Sequence, residues 1–209
     1  MTQVTTLAEL EALYGTPDPN SMAKVAQHIT PEYAAWIEAS RFVILSTVGS
    51  EGTDASPRGD DGPAVRIADE TTLMMPDWRG NNRTDSLRNI VEDGRCSLMF
   101  IVSGKTNVMR ANGRAVVSVD PDLLDSFARD GATRRHLPRS VIVMTIDEIY
   151  SQCARALIRA EVWTRDDADL PLPTPGDILK AQTRGAVDGA TYDANWASRA
   201  QETMWSNPK

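Results

Sequence analysis

Arg66, Arg83 and Ser86 are side chains that can grip an anion, and they fall within one short stretch of this chain. Gly80-Asn81-Asn82 lies between them as a loop sequence, and Leu87, Ile90 and Val91 then recur at helical spacing until Gly94. A helix starting there would offer unpaired backbone N–H groups and a partial positive charge at its first turn. Asn81 or Asn82 is placed to cap it. With Arg66 on the preceding strand, such a start can hold a phosphate. Spacing alone leaves two readings open: an anion grip, or an exposed helix whose Arg83 and Arg88 are simply solvated. Asp85 weighs against the grip unless its carboxylate points away.

Other chemistries find little support. His28 and His136 are far apart, with no HExxH-type neighbourhood, so no dedicated zinc or iron site is expected. There is no GxSxG elbow, no Cys–His pair, no Walker loop and no GxGxxG. Cys96 and Cys153 form no CxxC pair and read as two buried thiols of a reducing cytoplasm. Asp60-Asp61 and Asp166-Asp167 read as solvated loop carboxylates. A formal charge of -7 argues against nucleic-acid and anionic-membrane partners. The N-terminus lacks the basic and apolar regions of a signal peptide, and no segment reaches the roughly 20 apolar residues of a membrane span.

The elements that must position these residues are mostly strands. Within 209 residues, enough for one domain, residues 1–40 read as a helical extension: a helix over Leu7–Tyr14, another over Ser21–His28, and a third over Pro31–Ala39 with Trp36 and Ile37 facing inward. Strands are expected at Phe42–Val48, Thr53–Pro57, Ala64–Ile67, Thr71–Met75, Arg95–Val102, Thr106–Val119 and Ser140–Ile149. Asp120-Pro121 starts a helix carrying Leu123, Leu124 and Phe127, followed by an Arg-rich loop, Arg129–Pro138. The fold class is mainly β (α+β): a closed or nearly closed antiparallel barrel of six to seven strands with peripheral helices. It spans residues 41–163. Residues 164–209 read as a Pro-rich loop and one terminal helix, Asp188–Trp205, whose Tyr192, Trp196, Ala200 and Met204 form a packing stripe.

Three segments in order carry a family resemblance: Ser56-Pro57-Arg58-Gly59-Asp60, Gly80-Asn81-Asn82-Arg83-Thr84-Asp85-Ser86-Leu87-Arg88-Asn89, and Cys153-Ala154-Arg155-Ala156-Leu157-Ile158-Arg159. With them the chain resembles, from about Thr6 to Trp163, the pyridoxamine 5′-phosphate oxidase-like superfamily of FMN-binding split β-barrels. The resemblance implies that Val65, Arg66 and Ile67 line the flavin and that Pro76 and Asp77 sit beside its ring. Asn82 and Arg83 take positions where the oxidases carry arginine and lysine, so Asn82 replaces one basic ligand. Arg58 or Arg155 would supply the missing charge, unless Arg58 pairs with Asp60. The resemblance also implies a homodimer with FMN at the interface, Asn107 and Arg110 reaching the partner's flavin, though Arg110 could equally face solvent.

The aromatic pair and serine-arginine-proline segment that hold pyridoxal phosphate in the oxidases are missing. Leu137-Pro138-Arg139-Ser140 is the nearest string, so oxidation of pyridoxamine phosphate itself is not expected. What the resemblance implies is a cytoplasmic FMN-dependent oxidoreductase for a small molecule, with hydride transfer at flavin N5 and NAD(P)H as a candidate donor. The alternatives are a non-enzymatic FMN carrier, sensor or store, and a deazaflavin or haem binder on the same barrel, for which His136 is the candidate ligand.

Overall fold

Val43, Leu45 and Thr47 alternate with Ile44, Ser46 and Val48, and this period of two puts the first set on a buried face and the second on a half-covered one. In the computed structural model, which describes residues 2–130 and 135–201, this segment is β1 (Phe42–Gly49). It joins β2 (Gly52–Gly59), β3 (Arg66–Ile67), β4 (Thr72–Asp77), β5 (Arg95–Ile101), β6 (Val108–Ser118) and β9 (Ser140–Gln152) in one seven-stranded sheet of order β2-β1-β5-β6-β9-β4-β3. Every neighbouring pair is antiparallel. A small hairpin, β7 (Arg129–Asp130) with β8 (Arg135–His136), lies apart; Gly131–Arg134 of the expected Arg-rich loop fall outside the described residues.

The sheet curls on itself. Leu45 of β1 and Leu73 and Met75 of β4 stand near opposite ends of the strand order, yet they line one apolar interior with Leu98, Ile142 and Met144. That interior leaves no room for a water molecule. This is the expected split β-barrel, filled by side chains. Ile29 and Ile37 belong to the same core, because α3 (Pro31–Ala39) packs its buried Ile37 and half-buried Trp36 against it.

One strand pair carries an irregularity. The β6–β9 register shifts between Asn112, opposite Glu148, and Gly113, opposite Ile146, so Asp147 is left without a partner. A Cβ at Gly113 would stand 2.1 Å from the Thr145 carbonyl oxygen.

Several expected helices come out differently. α1 (Leu7–Tyr14) forms as read, with a Thr6–Glu9 capping box and Gly15 (φ 73) ending it, but every residue on it is exposed, Leu7 at 77%. The helix expected over Ser21–His28 is the shorter α2 (Pro19–Ala23), started by an Asp18 cap. Beyond it, the Ala26 backbone bonds both ways with Ile149 (2.9 and 2.8 Å). β4 pairs with β9 only as far as Thr145, and Ala26 satisfies the open edge that remains. The single terminal helix expected over Asp188–Trp205 is two short ones, α8 (Gly189–Ala194) and α9 (Trp196–Gln201), separated at Asn195. The Asp193 carboxylate there accepts from Thr174 Oγ1 and the Gly176 N–H, tying α8 to α7 (Pro175–Gln182), a helix not anticipated. Met204 and Trp205 lie outside the described residues.

The two thiols differ, against the expectation that both are buried. Cys96 lies in the core and burial, helped by the nearby Asp147 carboxylate, pushes its thiol up to about 11. Cys153, just past β9, is exposed. A thiolate-selective reagent such as Ellman's is therefore expected to modify Cys153 alone in the native protein, with Cys96 reacting only on unfolding. Rapid labelling of a native Cys153→Ser variant would contradict this.

Candidate functional site

The barrel's seam is closed by side chains. Arg58 pairs in register with buried Val43, which directs it to the inner face of β2, and Asp77 ends β4. β2 and β4 do not share backbone hydrogen bonds, yet Arg58 Nη1 donates to the Asp77 carboxylate. Arg58 thus pairs with Asp77 and not with Asp60. Register also delivers β9: Ser140 stands opposite Asp77, and the Arg139 N–H donates to the Asp77 carbonyl at 2.9 Å.

Around this junction lies a cavity of about 220 Å³, lined by Arg58, Asp77, Asn82, Arg83, Arg139 and Ser140 among others. Arg139 Nη1 donates to Asn82 Oδ1 at 3.1 Å. Two buried polar atoms, Arg58 Nε and Ser140 Oγ, have no hydrogen-bond partner among the described residues. Ser140 is only 5% exposed. Buried polar groups are nearly always paired, so unpaired ones at a cavity wall mark where a ligand or water would bond.

The polar residues of the loop-to-helix segment prove mostly structural. In α4 (Asp85–Glu92), buried Ser86 donates to Asp54 of β2, and Asn89 Nδ2 donates to Thr47 Oγ1 of β1 at 3.0 Å. These bonds and Ile90 hold the helix on the barrel. Val91, expected on the buried face, is 75% exposed. The cap is neither Asn81 nor Asn82: Thr84 occupies that position with no side-chain bond. Asn81 Oδ1 instead accepts the Arg83 N–H at 3.0 Å, and Asn82 takes a left-handed conformation (φ 62) that asparagine tolerates. Arg83 is paired with Asp85 at 2.6 Å.

Arg66 faces elsewhere. It lines a second cavity, about 230 Å³, with Val65, Ile67, Pro76, Phe127 and Arg129. Its guanidinium donates to Ser126 Oγ (3.0 Å) and the Ser126 carbonyl (2.8 Å) and lies 3.6 Å from the Phe127 ring centroid. Asp60 is not solvated: its side chain is 2% exposed and pairs with Arg129 at 3.4 Å. Burial, with the adjacent Asp61, holds its carboxyl above the usual range against the pull of Arg129.

Arg66, Arg83 and Ser86 therefore do not converge on one point. The first cavity brings together Arg58, Asp77, Asn82 and Arg83; the second brings together Val65, Arg66, Ile67 and Pro76. Asn107 is exposed just before β6, and Arg155 is exposed at the start of α6 (Arg155–Arg159). Arg110 is half-buried, 5.5 Å from the Tyr150 ring centroid, with its Nε unpartnered among the described residues. Arg139, Ser140, Phe127 and Arg129 were not anticipated at a site. The signal for the first two was present in Leu137-Pro138-Arg139-Ser140, and only the β4–β9 register shows where it lands. No described group of three His, Cys, Asp or Glu residues could hold a metal ion, and no helix is long and apolar enough to cross a membrane among the described residues.

Residues 29–153 match the pyridoxamine 5′-phosphate oxidase family, so the chain belongs to that family. Among curated proteins, no relative matches the chain. Similar solved structures include HupZ of Group A Streptococcus (18% identity, 59% of this chain and 93% of that one, TM-score 0.48). General stress protein 26 of Bacillus anthracis is another (17%, 56% and 88%, TM-score 0.41). A third is an FMN-binding protein from Syntrophomonas wolfei subsp. wolfei (12%, 57% and 88%, TM-score 0.42). At these values nothing about ligand or activity carries across.

Proposed function

We propose that the chain binds FMN where β3, the end of β4 and the Gly80–Thr84 loop meet, and that it serves as a cytoplasmic FMN-dependent oxidoreductase for a small molecule. The observation that carries this reading is the 220 Å³ cavity. Three arginines, Arg58, Arg83 and Arg139, line it on a chain of net charge -7, the first two paired with Asp77 and Asp85, and Arg58 Nε and Ser140 Oγ are left to bond a ligand. Family membership supports the cofactor class. The residues present fit a molecule with an anionic end and a flat apolar one: guanidiniums line the first cavity, and Val65, Ile67 and Pro76 line the second.

A bound flavin would supply the redox chemistry, taking or giving a hydride. The chain's residues would hold it and shield it: Pro76 and Val65 offer apolar wall, and Arg58 and Arg139 offer positive charge. A homodimer belongs to this proposal, with residues 41–163 as its barrel unit and the 1–40 and 164–209 segments as extensions. Half-covered outer-face residues such as Ile44, Met99 and Arg110 would meet the partner.

The protein is expected to purify yellow and to release FMN, identified by mass, on heating. A colourless protein that takes up no added FMN would overturn the reading. Rapid reduction of the bound flavin by NADPH or NADH would favour the enzyme, and resistance to both would favour an FMN carrier.

A further inference from the structure

We propose that Asp60 and Arg129 make the second cavity selective by charge, so that it takes an uncharged or cationic planar group and turns an anion away. Two arginines, Arg66 and Arg129, and two carboxylates, Glu38 and Asp60, line that cavity, so its formal charges cancel. Neither arginine is free to serve a ligand. Arg66 donates to Oγ and the carbonyl of Ser126 and lies against the Phe127 ring. Arg129 faces the Asp60 carboxylate at 3.4 Å. That carboxylate is fixed before any ligand arrives: the Asp60 N–H donates to the Arg41 carbonyl at 3.0 Å, and Oδ1 accepts the Asp61 N–H at 2.7 Å. Glu38 is exposed and has no partner among the described residues.

Burial and the nearby Arg129 both hold the Arg66 guanidinium below its ordinary value. Without Asp60, two cations would stand over one cavity and attract an anion. Asp60 cancels that attraction and adds a repulsion of its own, and a charge set against the wrong ligand is one way a binding surface gains selectivity. The apolar lining sets the shape: Phe127 is buried, and Val65, Ile67 and Pro76 stand with it. That the selected group belongs to the substrate rests on the FMN reading; the charge selectivity itself does not. With the flat end of the flavin against Val65, Ile67 and Pro76, Phe127 and the Asp60–Arg129 pair are left to meet the substrate. The substrate is then a planar molecule whose entering end carries no phosphate or carboxylate.

Pyridoxamine and its 5′-phosphate are a matched pair for the test: one flat ring, without and with the anion. Each is titrated by calorimetry against the protein as purified, against Asp60→Asn, and against the double variant Asp60→Asn with Arg129→Gln. The quantity read is the change in the ratio of the two affinities. Asp60→Asn keeps an acceptor for the Asp61 N–H and frees Arg129. The 5′-phosphate is therefore expected to bind about tenfold tighter, the size of one charge-assisted hydrogen bond, with pyridoxamine unchanged or weaker. The second substitution should cancel that gain, which a merely structural effect of Asp60 would not explain. Arg129→Gln alone should move the ratio about tenfold toward pyridoxamine, and it carries the test if Asp60→Asn fails to fold. Flavin content is read by absorbance on the same preparations: colourless protein sinks the FMN reading, while the shift in ratio still decides the selectivity. The proposal is overturned if the ratio stays put in the folded single variants, if the gain survives loss of Arg129, or if no variant binds either compound.

Discussion

Asp77→Asn is expected to lower the stability of the ligand-free protein by about 2 kcal/mol and to tighten phosphate binding at the same time. The two effects share one cause. Arg58 and Asp77 are 23% and 14% exposed, so their charges are largely out of water and are tolerated because they face each other. Removing the carboxylate leaves Arg58 a poorly solvated cation. Breaking a fully buried pair costs about 3–5 kcal/mol, and the residual exposure here reduces that to about 2 kcal/mol. For a chain of this size the melting temperature should fall by about 4–8 °C. Phosphate then gains a cation that no longer has an internal partner, so the variant should recover more of its melting temperature on adding phosphate than the parent gains. A melting curve that does not move, or one that moves and is not rescued by phosphate, would remove the ion pair from the account. A double-mutant cycle with Arg58→Met measures the pair term itself.

The second large effect is at Gly113. The register shift on β6 brings this residue against the backbone of β9, and an added Cβ would lie 2.1 Å from the Thr145 carbonyl oxygen and 2.9 Å from Ile146 Cα. Both obstacles are main chain, so no side-chain rotation relieves them. The longest strand pairing in the barrel must open locally to admit a methyl group. Gly113→Ala is expected to cost about 3 kcal/mol, and to lower melting by about 6–12 °C. Gly62→Ala is the control, because a Cβ there meets nothing within 4 Å. Equal melting of the two variants would refute the close approach.

The barrel was readable from the sequence because it rests on local patterns. Phe42–Val48 is a β-branched, apolar run bounded by glycines and Thr106–Val119 alternates apolar with polar, and β1 and β6 appear there. Helix boundaries near the ends were less legible. Asn195 and Asp193 look like ordinary helix residues until Asp193 is seen bonding across to Thr174 and Gly176, and that contact is not local. The candidate site was half legible. Arg58, Asp77, Asn82 and Arg83 were singled out and line one cavity, while Ser86 was read as a ligand and is a fastener to Asp54. Sequence proximity made Arg66 and Arg83 look like partners. The pleat separates them, because Pro76 and Asp77 point to opposite faces of β4 and each serves a different cavity. Arg139 was out of reach because 62 residues of chain separate it from the Asp77 it sits beside, a juxtaposition that only strand order produces.

That shared strand end has a consequence for how the two cavities communicate. The two cavities abut on consecutive residues of β4: Pro76 lines one and Asp77 lines the other. A ligand that displaces this strand end from one side reshapes the opposite side in the same motion. Any such influence must run equally in both directions, since the free energy coupling two binding events does not depend on which comes first. The strand end would then act as a common diaphragm, and a flavin with its anionic end in one cavity and its ring in the other would brace it from both sides.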